Sequence, residues 1–259
     1  MKIQLSETAH PRDVLGMRYV YLVRSRRAGG ISLGVNLSPH KRCNFRCVYC
    51  QVEGLRRGGG VRCDLAQLRE ELARAWAMLD APLADIAFSG DGEPLACPNV
   101  DEAVALVAAF ARAHGFTGPI RMITNASYIT KPHAERALLR LAEAGGEAWC
   151  KLDAVGEAET RAIHGVRIPE AQALAWLVRC ARMAPSWVQT CVFLLDGQFS
   201  CAGEARTRYL ALLARAAQAA PLRGVWLYGL ARSAQVAPER VARAPRAWVE
   251  ALADEIRAH

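Results

Sequence analysis

ISLGVNLSPHKRCNFRCVYC, residues 31–50, joins an apolar run to a loop with three cysteines at C-x3-C-x2-C spacing. The run ISLGVNL (31–37) reads as a β-strand, so Cys43, Cys47 and Cys50 follow just beyond its C-terminal end. The same order, strand and then helix, recurs outward along the chain. A helix is expected over 64–79, where Leu65, Leu68, Leu72, Trp76 and Leu79 share one face and Asp64 is placed to cap the start. DIAFS (85–89) is the next strand, followed by a helix near 99–113 with Val100, Val104, Val107 and Phe110 on one side. PIRMIT (119–124) precedes a helix near 132–144 that opens with Pro132, a favourable first-turn residue. EAWCKL (147–152) precedes a helix near 169–183, with Leu174, Leu177, Val178 and Ala181 facing inward. WVQTCVFLL (187–195) leads to a helix near 203–219, and GVWLYGL (224–230) to a last one near 240–257.

Six such units imply an α/β fold with a parallel sheet and its helices outside. Right-handed crossovers would curve them into a partial (βα)6 TIM-like barrel. No linker divides the run, and RRGGG (56–60) is only a loop. The expected organisation is one core domain over 31–259 behind a short N-terminal extension, residues 1–30. In that extension MRYVYLV (17–23) is a candidate strand outside the repeat.

With 259 residues, 52% of them hydrophobic, the chain can bury a substantial core. No apolar run approaches the ~18 residues of a membrane span. The longest include AVALVAAFA (103–111), and the start, MKIQLSETAHPRD, is polar. A cytoplasmic protein without a membrane partner is expected. There its nine cysteines stay reduced, as metal ligands or as small core residues. The six outside the loop are scattered singly and read as core. A formal net charge of +8 admits an acidic partner such as RNA, but the arginines are spread along the whole chain.

Ligands of parallel α/β folds collect at the C-terminal strand ends, and the unusual polar residues fall there. The cysteine loop follows the first strand and GDGEP (90–94) the second; TN (124–125) closes the third, and Lys151 and Asp153 the fourth. Three sulfurs on so short a loop suit neither a structural zinc, which takes four ligands, nor a catalytic zinc. They suit an iron–sulfur cubane, whose irons lie close together and whose fourth corner is then left for substrate or cofactor.

CNFRCVYC, with its aromatic residue before the third cysteine, resembles the signature loop of the radical S-adenosylmethionine (radical SAM) enzymes. The stretches 25–51, FSGDGEPL (88–95), TNAS (124–127) and KLD (151–153) resemble one branch of that superfamily. The branch holds small iron–sulfur oxidoreductases related to the wyosine-type tRNA-modifying enzymes.

The resemblance implies that Cys43, Cys47 and Cys50 ligate a [4Fe-4S] cluster whose open iron takes S-adenosylmethionine. Reductive cleavage would release a 5′-deoxyadenosyl radical that abstracts hydrogen from an unidentified substrate. Gly90, Asp91, Gly92 and Glu93 would border the methionine end, with Glu93 or a backbone carbonyl accepting from the ammonium. The family form is often GGE, so Asp91 is a departure. Asn125 would bond the ribose or carboxylate, or else only cap its turn. Lys151 would pair the cofactor carboxylate and Asp153 hold the ammonium or ribose, unless the two simply pair with each other. Tyr49 would lie near the adenine. Lys41, Arg42 and Arg46 are placed to offset cluster charge, and Arg26, Arg27 and Arg232 to hold an anionic group of substrate.

An electron donor such as flavodoxin or ferredoxin is implied. So is an uncovered barrel side that suits a large substrate (RNA, peptide or partner protein). A second reading is an iron–sulfur or zinc-stabilised module that binds nucleic acid without catalysis. Such a module needs no polar shelf like GDGE, TN and KLD.

Overall fold

The computed structural model describes residues 16–258; the polar start MKIQLSETAHPRD lies outside them. Strand β1 (Val20–Ser25) turns back into β2 (Gly30–Val35), and short pieces β3 (Arg42–Cys43) and β4 (Arg56–Arg57) flank the cysteine loop. Then come α1 (Leu65–Ala77), β5 (Leu83–Phe88), α2 (Val100–Ala113), β6 (Ile120–Thr124), α3 (Pro132–Glu143) and β7 (Glu147–Lys151). Two helices follow, α4 (Glu157–His164) and α5 (Glu170–Met183), before β8 (Ser186–Leu195) and β9 (Gln198–Phe199). The chain continues through α6 (Gly203–Ala219), β10 (Leu222–Gly229), β11 (Val241–Arg243) and α7 (Arg246–Ala258).

The main sheet runs β1-β2-β5-β6-β7-β8-β10. From β2 to β10 every neighbouring pair is parallel, which makes the six-stranded partial barrel that the periodicity implies. The barrel does not close: β1 and β10 are its two margins and do not pair. Strand β1 joins this sheet, antiparallel to β2 from Val20↔Val35 to Ser25↔Gly30. The described part of the N-terminal extension thus supplies an edge strand. Among the described residues no helix is long and apolar enough to cross a membrane.

Side chains alternate between the two faces of each strand. Outward, Leu33, Ile86, Phe88, Met122, Cys150 and Val188 are fully buried against Leu68, Leu72, Val104, Val107, Leu138 and Cys180 of the helices. Asp64 caps α1 as expected, its Oδ1 accepting from the backbone N–H of Ala66 at 3.0 Å and Gln67 at 3.1 Å. The scattered cysteines are all buried, and two of them, Cys150 and Cys180, meet sulfur to sulfur at 2.9 Å.

Inward, the register puts Arg121 beside Glu147, Ile123 beside Trp149, and Lys151 beside Gln189, which in turn lies beside Trp226. Near the N-terminal strand ends this face is closed by ion pairs. Arg121 reaches Asp85 at 2.6 Å and Glu147 at 2.8 Å. The indole N–H groups of Trp149 and Trp187 also donate to Glu147, at 3.0 and 2.9 Å. Burial opposes the charge on Glu147, but Arg121 and the indoles outweigh it and hold the carboxyl below its ordinary range.

Three local expectations differ from the structure. Helix α4 is additional, an eight-residue piece between Gly156 and Gly165. The last helix begins at Arg246 rather than 240, because Val241–Arg243 pairs with the extended end of β8. On α5 the buried face is Ala173, Leu177, Cys180 and Ala181, with Leu174 and Val178 only half-buried.

Candidate functional site

A cavity of about 630 Å³ opens at the C-terminal strand ends, and all three loop cysteines line it. Their loop is pinned by α4, the helix the periodicity does not reveal. The backbone N–H of Arg46 donates to the His164 carbonyl at 2.8 Å, and that of Val48 to Ile163 at 2.9 Å. From the far side, Gln235 donates its backbone N–H to the Cys50 carbonyl at 2.7 Å.

Burial pushes the Cys43 thiol up to about 12, with Glu93 adding to the effect. It also raises Cys47 well above its ordinary value, helped by Asp153. Cys43 and Cys47 therefore keep their protons at neutral pH unless a metal displaces them. His164 Nδ1 lies 3.3 Å from the Cys47 sulfur, and burial pulls this imidazole down to about 4.

The GDGE loop packs directly on the cysteine loop. A Cβ on Gly92 would lie 2.0 Å from the Arg42 carbonyl oxygen, and one on Gly90 2.3 Å from Asn36 Oδ1. Both positions therefore require glycine for close approach. Asn36, at the end of β2, ties the loops together. Its Oδ1 accepts from the backbone N–H of Ser38 at 3.0 Å and of Asp91 at 3.1 Å, while its Nδ2 donates to Asp91 Oδ2 at 2.7 Å.

Glu93 is 3% exposed, and protein donors engage both its oxygens. Oε1 accepts from Leu95 N–H at 3.0 Å and Thr124 Oγ1 at 2.5 Å, and Oε2 from Asn125 N–H at 2.7 Å. Burial raises its carboxyl to about 7 against these bonds. Asn125 caps its own turn, accepting from Ser127 N–H at 3.0 Å, and donates from Nδ2 to Asn44 of the cysteine loop at 3.1 Å.

Lys151 donates to the Tyr228 hydroxyl at 2.6 Å and sits 3.3 Å from Asp153. Burial works against its charge, but Asp153 and Tyr228 hold its pKa above the ordinary lysine value. Asp153 is 1% exposed and bonds inward, accepting from Tyr49 Oη at 2.5 Å and Cys191 N–H at 2.6 Å. Lys151, Leu152 and Ala154 line the cavity, whereas Asp153 stands behind them.

The expected residues Tyr49, Gly90, Asp91, Gly92, Glu93, Asn125 and Lys151 thus meet the three cysteines around one cavity. Asp153 serves that wall from behind. Asn36, Asn44, His164 and Tyr228 were not anticipated. For Asn36 a signal existed, since it too is a polar residue at a strand end. Among the described residues no three His, Cys, Asp or Glu side chains form a site for a single metal ion. A cubane needs no such convergence, because each thiolate binds a different iron.

The family model of the radical SAM superfamily matches residues 37–197. A UPF0026 protein of Helicobacter pylori (strain ATCC 700392 / 26695) is 29% identical over 120 residues, 45% of this chain and 37% of that protein. A UPF0026 protein of Methanocaldococcus jannaschii is 32% identical over 123 residues, 45% of this chain and 36% of that protein. The chain thus matches little more than a third of the length of these relatives.

The fold is similar to that of a radical SAM methyltransferase from Sphaerobacter thermophilus, at 18% identity and TM-score 0.61, over 95% of this chain and 68% of that one. It is also similar to TYW1 with a lysine–pyruvate adduct bound, at 16% identity and TM-score 0.56, over 88% and 73% of the two chains. The family match takes in the cysteine loop, GDGE, Asn125 and Lys151, and with the open parallel barrel it makes this chain a member of the radical SAM superfamily, enzymes that bind a [4Fe-4S] cluster and S-adenosylmethionine.

Proposed function

We propose that Cys43, Cys47 and Cys50 hold a [4Fe-4S] cluster by three corners and that S-adenosylmethionine lies in the cavity beside it. The observation that carries this reading is the convergence of three cysteines outside any disulfide, the GDGE loop, Asn125 and Lys151 on that one cavity. When bound, the pair of cofactors supplies a 5′-deoxyadenosyl radical able to take a hydrogen atom from substrate.

The protein's part is binding, orientation and exclusion of water. Gly90 and Gly92 let backbone approach the methionine end. Since donors within the protein engage both Glu93 oxygens, backbone carbonyls of residues 90–93 take the ammonium, while Glu93 holds Thr124 and Asn125 in place. Asp91 is held by Asn36 beside them. Lys151 pairs the cofactor carboxylate, positioned by Asp153 and Tyr228. Tyr49, fixed through its hydroxyl on Asp153, presents its ring to the adenine side. Lys41, Arg42 and Arg46 offset the negative charge of a three-thiolate cluster.

In this reading the protein is cytoplasmic and takes its electron from a donor such as flavodoxin or ferredoxin. Residues 31–259 form the catalytic core, and residues 1–30 are an extension whose described part adds an edge strand. The deciding experiment is anaerobic reconstitution with iron and sulfide, followed by dithionite and S-adenosylmethionine. Reductant-dependent 5′-deoxyadenosine is expected. A colourless, zinc-containing protein that makes none would overturn the reading in favour of a nucleic-acid-binding module.

A further inference from the structure

Below the rim, the cavity continues into the barrel and meets polar groups that the fold itself leaves unused. Gln189 on β8 lines it and is 1% exposed, yet its Nε2 has no hydrogen-bond partner. Asp85 on β5 lines it too and is 3% exposed; its Oδ2 serves Arg121, but its Oδ1 is likewise unpartnered. Buried donors and acceptors in native proteins are nearly always satisfied, so an unpartnered donor and an unpartnered acceptor in one cavity are placed to bond the polar atoms of a ligand.

The walls say what kind. Trp149 and Trp226 both line the cavity, with ring centroids 5.8 Å apart. Arg27, in the turn between β1 and β2, leans across from the opposite margin. Its guanidinium carbon lies 5.0 Å from the Tyr228 ring centroid and 6.0 Å from that of Trp149. Arg27 is exposed and forms no ion pair with any described residue. Aromatic faces favour a flat π-system, and an uncompensated guanidinium favours an anion.

We propose that this inner half of the cavity binds a small planar aromatic anion. Its ring lies against Trp149 and Trp226, a carbonyl or ring nitrogen accepts from Gln189 Nε2, a ring N–H or O–H donates to Asp85, and the acidic group rests on Arg27. A small molecule fits better than a polymer, because Gln189 and Asp85 lie deep on the inner face, almost wholly shielded from solvent. Naming this molecule as the substrate rests on the function proposed above; its binding does not.

The test is calorimetric titration of the full-length, cluster-reconstituted protein under anaerobic conditions. Two probes represent the two sources of an aromatic anion: guanosine 5′-monophosphate for a phosphate, anthranilate for a carboxylate. Guanosine and cyclohexanecarboxylate are their uncharged and non-aromatic controls, and a short guanosine-containing RNA is the polymer. One probe is expected to bind, with its control at least about tenfold weaker, and the probe that binds identifies the source. Arg27→Ala, at an exposed position where folding is not at stake, should weaken that binding about tenfold. Gln189→Leu should weaken it about tenfold while raising the thermal midpoint, since it removes a buried donor without a partner.

The proposal is overturned if neither probe binds, if the variants bind like the parent, or if the RNA binds more tightly than the nucleotide. A protein that makes 5′-deoxyadenosine but binds no probe loses only this inference. One that binds a probe but never makes 5′-deoxyadenosine loses only the earlier reading.

Discussion

At the bottom of the barrel interior, Arg121 lies between Asp85 and Glu147, and two indoles complete the shell of Glu147. At the rim, on the loop that follows β2, burial raises the thiols of Cys43 and Cys47 above their ordinary range, so they keep their protons. The floor meets the cost of burying charge almost entirely from within. At the rim the two thiols avoid that cost by keeping their protons, while Lys151 and Asp153 beside them pair as the floor does. The contrast separates ion-paired groups inside the barrel from protonated thiols on a loop at its rim.

The largest effect expected from disturbing this contrast is at the rim. Cys47→Ala should take iron after anaerobic reconstitution from about four atoms per chain to almost none, because one corner of the cubane loses its ligand. Production of 5′-deoxyadenosine should stop, and circular dichroism should report an intact fold. A variant that loads fully would erase the distinction between rim and floor.

Next comes the floor. Arg121→Met leaves buried Asp85 without its ion pair and Glu147 with only its indole donors close by, and should cost about 3–5 kcal/mol in urea unfolding, with iron uptake per folded chain unchanged. A cost within the scatter of surface substitutions would mean that the ion pairs do not hold the floor together.

The third effect lies between them and depends on pH. Burial raises the Glu93 carboxyl from 4.5 to about 7, so the folded chain holds this proton more tightly than the unfolded chain does. Its favourable contribution is therefore complete below about pH 4.5 and lost as pH rises through about 7, a change on the order of 3 kcal/mol. Glu93→Gln should remove that part of the slope of cluster-free stability against pH. Parallel profiles for parent and variant would show that Glu93 does not titrate in this window.

Much of this architecture could be read in advance where a signal was local. Asp64 before a helical period and Pro132 at a first turn announce their helices. Apolar runs ending in CNFRCVYC, GDGEP, TN and KLD place one rim. What escaped notice depends on distance along the chain. Helix α4 has eight mostly polar residues, too few to display a period, yet its C-terminal carbonyls hold the cysteine loop. His164 reaches Cys47 across 117 positions and Asn36 reaches Asp91 across 55, contacts that no short window contains. Asp153 lies two residues past the end of β7, and its carboxyl is taken up by Tyr49 and Cys191, partners 104 and 38 positions away. The three-residue β11 exists only because β8 runs long enough to pair it.

The gap between β1 and β10 bears on what can reach the inside. Where two strands share a ladder, parting them breaks a whole row of hydrogen bonds; here the described strands leave the wall with two loose hems. From the β1 side, the Arg27 guanidinium reaches over Tyr228 on β10 and Trp149 on β7. Undoing such a contact costs about 0.5–2 kcal/mol, so passage to the interior along this margin requires no strand ladder to be broken.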